Sequence, residues 1–271
     1  MRIAQIVLPH ASQYERKSQR ADFAALSEKH EVTLIPLEAA ASTGAQLAHI
    51  YGPAELPLRE LTRFPLPYLA NAAVPKSRWP WHRAPQPALI ISPLAAQPVP
   101  EAVEDAYFAE APQPPTANRQ PPTKIIASYR RPGSDDFLQR TLSRIERFRN
   151  DVEWHLYENP PTPADLASVD LWVDPALSEN DFDGFVAEAL VVGTAVVAGR
   201  NAINSLRLER GRTGFLVPMN DPNEMTHAIL AALFKPEVAQ SRLQAARQTR
   251  SKFRSRQRSR ILVQRYESLI S

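Results

Sequence analysis

Along this chain the spacing of apolar residues switches repeatedly between short unbroken runs and helical periodicity. Residues 2–8 (RIAQIVL) form a compact apolar run, as a buried strand does. Residues 13–29 set Tyr14, Ala21, Ala24, Ala25 and Leu26 among charges, which suits an amphipathic helix. Residues 31–35 (EVTLI) read as a second strand. Strand, helix and strand in so short a span predict a parallel βαβ unit, because parallel strands need a crossover between them.

The second half repeats the alternation with more regularity. Strands are predicted over 124–128, 152–157, 169–173, 194–198 and 215–217. Ser134 or Asp135 caps a helix reaching Phe148, with Phe137, Leu138, Leu142, Ile145 and Phe148 on its apolar face. A helix over 183–192 ends at Gly193, a natural left-handed C-cap. Asp221-Pro-Asn-Glu224 reads as a capping box that opens a helix to Phe234, which Pro236 stops. The expected fold class is α/β, with two Rossmann-like doubly wound domains facing a cleft and the N-terminal one reduced.

Proline sets the boundary between them. Sixteen of the 26 prolines fall between residues 53 and 122, where only short strands (66–70 and 88–92) and a helix near 100–109 are expected. Residues 111–122 (APQPPTANRQPP) read as a stiff linker. The predicted divisions are an N-terminal domain over 1–115, a linker over 116–123, a C-terminal domain over 124–250 and a closing helix over 251–271 that returns to the first domain.

Composition removes several classes of function. With no cysteine, disulfide scaffolds, thiolate metal sites and cysteine nucleophiles are excluded. The six histidines show no metal-ligand spacing, so no metal site and no cofactor are expected. No apolar stretch approaches the ~18–20 residues a membrane span needs, and the N-terminus lacks the pattern of a signal peptide, so a cytoplasmic protein is expected. The net charge of +3 hides an asymmetry: residues 242–265 hold nine basic side chains and no acid. A helix with a solvated basic face, contact with anionic membrane, and nucleic-acid binding each fit that tail, the last least well for want of a recognised motif.

The chemistry concentrates in residues 169–218, which contain five of the eight glycines. Pro175, Glu179, Phe182, Glu188-Ala189, Gly193-Thr-Ala-Val-Val-Ala198 and Gly211–Pro218 together resemble the donor-binding half of the retaining GT-B glycosyltransferases of family four. The resemblance is specific over about 166–234 and implies transfer of a sugar from a nucleotide-diphosphate donor to an acceptor with retention of configuration. It makes the N-terminal domain the acceptor side and the C-terminal domain the donor side. By the same resemblance, Glu188 binds ribose hydroxyls and Glu179 binds hydroxyls of the transferred sugar. The turn Phe182-Asp183-Gly184-Phe185 supplies backbone amides, Arg130 and Arg131 meet the diphosphate, and Ser12-Gln13 form the N-terminal cleft loop.

The residue types suit those roles. Carboxylates only accept hydrogen bonds and so match vicinal diols, and an arginine fork matches phosphate oxygens. Asp181 and Asp183 crowd the same turn with acid, which favours hydroxyls over a pyrophosphate placed close by. A relative that binds a sugar nucleotide or a partner protein without turnover is the alternative reading. His10 and His49 are given structural roles, and Trp79, Trp81 and His82 are expected to form a packed covering loop.

Overall fold

A computed structural model gives the architecture and describes residues 2–8, 11, 13–28, 30–36, 39, 42, 44–51, 68–71, 89–91, 101–109, 123–179, 181 and 184–270. The predicted linker, Ser12, His10, Phe182, Asp183 and the Trp79–His82 segment lie outside the described residues. The chain divides into two units, Met1–Glu104 with Phe253–Ser271, and Asp105–Lys252.

The first unit holds β1 (Arg2–Val7), α1 (Gln13–Ser27), β2 (Glu31–Leu34), β3 (Leu47–Tyr51), β4 (Tyr68–Asn71) and β5 (Leu89–Ile91). These strands pair in parallel in the order β2-β1-β3-β4-β5. The second unit holds α2 (Ala106–Ala109), β6 (Lys124–Tyr129), α3 (Asp135–Glu146), β7 (Val152–Tyr157), α4 (Pro163–Ala167) and β8 (Leu171–Asp174). It continues with α5 (Val186–Val192), β9 (Ala195–Gly199), α6 (Ala202–Arg207), β10 (Phe215–Val217), α7 (Pro222–Phe234) and α8 (Pro236–Thr249). Its sheet runs β10-β9-β8-β6-β7, again parallel throughout. Both sheets therefore have the doubly wound order in which direction reverses beside the first strand, and ligands of such sheets bind at the strand carboxyl ends at that reversal.

The second sheet is packed between helices at its centre, where β8 and β9 are buried and apolar on both faces. On one face α3 contributes Phe137, Leu138 and Ile145, and α7 contributes Met225, Ile229 and Ala232, against Ile126, Leu171, Val173, Val197 and Val217. All seven residues of α5 are buried, including Glu188.

Several elements differ from the sequence expectation for identifiable reasons. Helix α3 ends at Glu146 and leaves Phe148 68% exposed. Its Ser134 hydroxyl makes no cap bond, because its oxygen turns back to accept from the Arg131 amide at 3.1 Å while its proton goes to the Arg131 carbonyl. Helix α5 starts at Val186, three residues later than predicted, since Phe185 takes a left-handed conformation (φ 54°). Gly193 does close that helix in a left-handed C-cap (φ 99°). Pro236 ends one helix and occupies the first turn of the next, as proline's missing amide permits. Strand β3, with its central histidine, and helices α4, α6 and α8 were not predicted.

The final helix α9 (Ser255–Ile270) packs in the first unit, where Leu262, Val263 and Tyr266 join Ile3, Leu26 and Leu47. Arg258, one of the nine basic residues of the tail, does not sit on a solvated face. It is fully buried and its guanidinium donates to both Asp22 oxygens at 2.7 and 2.9 Å. Tyr51 donates to Asp22 at 2.9 Å and lies 2.9 Å from His49 Nδ1, which the Tyr266 hydroxyl also meets. Burial, with the Arg258 charge close by, holds the His49 imidazole well below its usual value of 6.5.

His49 is thus neutral in the fold but takes up a proton more readily when unfolded. Its contribution to stability is complete above pH 6.5 and declines as the pH falls from there. Urea denaturation of the whole chain between pH 7.5 and 5 is expected to show this decline, which H49Q flattens.

Candidate functional site

Strand β8 ends in Asp174-Pro175, and everything after Asp174 is shaped around its carboxylate. Asp174 is 1% exposed, and its Oδ1 accepts from the Arg131 guanidinium and from the Ala176 amide at 3.3 Å. Its Oδ2 accepts from Asn204 Nδ2 at 2.7 Å. Arg131 follows β6, so the Arg131–Asp174 pair bridges β6 and β8, the two strands at which the sheet order reverses. The other terminal nitrogen of the same guanidinium, Nη1, bonds Asp181, whose second oxygen accepts from the Leu177 amide at 3.0 Å.

The described residues that follow Asp174 lie close against this ion network. Ala176 and Phe185 both adopt left-handed backbone (φ 46° and 54°), a costly conformation for residues with side chains that collects at functional loops. A Cβ on Gly184 would lie 2.3 Å from the Asp174 carboxyl carbon, so only glycine fits there. A Cβ on Gly199 would lie 2.1 Å from the Pro175 carbonyl oxygen. Asn201 caps α6 by accepting from the Asn204 amide at 2.8 Å, and its Nδ2 donates to the Asp181 carbonyl at 2.8 Å. Trp172 Nε1 donates to the Gly184 carbonyl at 2.7 Å, and the Phe185 ring meets Tyr129 edge-on at 5.0 Å.

The residues singled out from sequence fall at different places. Arg131, Gly184 and Phe185 belong to the β6–β8 edge and the loop after β8, whereas Glu188 lies in the first turn of the buried helix α5 and is 2% exposed. Glu179 is exposed, and its Oε2 accepts from the Ala202 amide at the start of α6, 3.3 Å away. Arg130 points to the surface, bonded to Asp135 at 2.9 Å and Glu158 at 2.8 Å, and those bonds raise its pKa. Gln13 begins α1 in the first unit. His49 lies within the buried hydrogen-bond cluster of the first unit.

Sequence reasoning missed Asp174, Asn201 and Asn204. The signal for Asp174 was there, since an acid at the end of an apolar strand must find a cation if it is buried. Among the described residues no group of three or more His, Asp or Glu could hold a metal ion. Nor is any helix among them long and apolar enough to cross a membrane.

Residues 107–234 match the family described as Glycosyl transferases group 1. No curated protein matches the chain. Among solved structures, the chain is similar to HepE of Anabaena in complex with UDP, at 12% identity and a TM-score of 0.73 over 99% of this chain and 100% of that one. HepE in complex with UDP-glucose aligns at 11% identity and a TM-score of 0.70, over 98% and 99%. A glycosyltransferase from Rickettsia africae ESF-5 gives 11% identity and a TM-score of 0.70, over 99% and 98%. Sucrose-phosphate synthase of Thermosynechococcus elongatus gives 13% and 0.70, over 100% and 99%.

Replacing Gly184 by Ala is expected to destabilise the chain by about 1–3 kcal/mol in urea denaturation, because Asp174 is bonded at both oxygens and cannot swing aside cheaply. Residues 107–234 match the glycosyl transferases group 1 family, and the chain as a whole has the GT-B fold of the solved glycosyltransferases it resembles.

Proposed function

We propose that this chain moves a sugar from a nucleotide-diphosphate donor to an acceptor with retention of configuration, the second unit binding the donor. The observation that carries the reading is the family match over residues 107–234, which spans the β6–β8 edge and the loop from Pro175 to Phe185. The relative from Anabaena was solved with UDP and with UDP-glucose, which supports a uridine donor as the first to try.

In this reading Glu188 accepts hydrogen bonds from the ribose hydroxyls. A carboxylate shielded from bulk water bonds hydroxyls more strongly than one at the surface. Glu179, on the exposed loop, binds hydroxyls of the transferred sugar. As the bond from sugar to diphosphate breaks, negative charge grows on the departing phosphate. Arg131, assisted by Arg130 and the amides near Gly184 and Phe185, supplies the stabilising charge where a metal would otherwise serve. Placing donor and acceptor side by side accounts for much of the acceleration. The acceptor side belongs to the N-terminal residues, among which Ser12 and Gln13 are the proposed contacts. The exposed Arg256 and Arg260 of α9, one helical turn apart, suit peripheral contact with an anionic membrane in the cytoplasm.

Incubating the chain with a panel of sugar nucleotides is expected to release nucleoside diphosphate from at least one of them. Nucleotide binding without release from any donor would make the chain a binding protein and contradict the proposed transfer. Glu188→Ala is expected to weaken nucleotide affinity about tenfold or more in calorimetry with the fold retained, since alanine favours helix. Unchanged affinity would remove Glu188 from the ribose site.

A further inference from the structure

The two carboxylates that hold Arg131 are not equivalent. Asp174 is 1% exposed, ends a central strand, and accepts from Arg131, from Asn204 at 2.7 Å and from the Ala176 amide at 3.3 Å. The Asp181 side chain is 14% exposed and stands on an irregular loop, its oxygens bonded by Arg131 and by the Leu177 amide at 3.0 Å. Arg131 itself is 9% exposed at the side chain, so its charge is largely out of water and its partners matter. One guanidinium facing two carboxylates leaves a net charge of about −1 at the edge where a doubly wound sheet takes its ligand. A diphosphate brought there would meet repulsion before attraction, unless one carboxylate gives way.

We propose that Asp181 is a displaceable counter-ion for Arg131, occupying the guanidinium nitrogen Nη1 that a phosphate of the nucleotide takes when it binds. The proposal rests on the donor reading above and deepens it. The planar guanidinium fork accepts a carboxylate or a phosphate with the same geometry, so one can replace the other with Arg131 staying in place. Asp174 keeps hold of Nη2 throughout, which fixes the direction of the guanidinium. Asp181 then sets how weakly the chain holds free nucleoside diphosphate. Lowering that affinity favours release of the leaving group after transfer.

The test is calorimetry on the full chain, wild type against D181N and D181A, with UDP, TDP, ADP and GDP and with the matching nucleosides. Thermal melting checks that each variant is folded, and D181N, which keeps the size of the side chain, covers the case in which D181A is not. The proposal expects both variants to bind the preferred nucleoside diphosphate about tenfold or more tightly than wild type, with nucleoside affinity unchanged. Equal diphosphate affinity in wild type and folded variants overturns the counter-ion role while leaving the donor reading standing. Weaker diphosphate binding in folded variants overturns it too, by making Asp181 a residue that positions Arg131. Absence of nucleotide binding in all three proteins overturns the donor reading, and the counter-ion role falls with it.

Discussion

A guanidinium sealed between strand ends needs anions, and in the second unit this need organises the whole carboxyl edge of the sheet. Arg131 reaches from the end of β6 to Asp174 at the end of β8, across the point where strand order reverses. Desolvating these charges is costly, and the cost is offset only when the remaining lone pairs and donors are satisfied. Asn204 and the amides of Ala176 and Leu177 do this for the two carboxylates, and Asn201 holds the Asp181 backbone carbonyl beside them. The left-handed backbone at Ala176 and Phe185, and the glycines at 184 and 199, are what it takes to bring a chain so close to a buried carboxylate. The loop carrying the proposed donor contacts is therefore an outcome of one ion pair.

The first unit uses the same chemistry to another end. Arg258 and Asp22 are sealed from water, and with His49, Tyr51 and Tyr266 they tie the closing helix to α1 and to β3. Every side chain of that cluster is fully buried, and its bonds run between α1, β3 and α9. The network around Arg131 differs in one respect, the 14% exposure of the Asp181 side chain. A buried ion pair fixes a fold, whereas one with a partly exposed partner can exchange that partner.

Much of the fold was readable from the chain. The helical period of Phe137, Leu138 and Ile145, the cap at Asp221 and the glycine after Val192 each act locally, and local chemistry is what a single sequence displays. Strand β3 was hidden because its buried histidine looks polar until Tyr51 and Tyr266 are seen beside it. Arg258 looked like one more surface cation for the same reason, its partner lying 236 residues away in sequence. In the candidate site the family resemblance pointed to Arg131, Gly184 and Glu188. Asp174 showed only as an acid ending an apolar strand, and Asn204 gave no signal, because its bond to Asp174 runs from helix α6 to strand β8 and no spacing along one element encodes it. Phe182, Asp183 and Ser12 lie outside the described residues, and their roles rest on the resemblance.

The most direct measurement is a crystal structure of the full chain grown with its preferred nucleoside diphosphate. The account predicts phosphate oxygens on Arg131 Nη1, Asp174 still bonded to Nη2, Asp181 turned away, and the ribose hydroxyls on Glu188. A nucleotide seated elsewhere, with Arg131 still closed between both carboxylates, would contradict it.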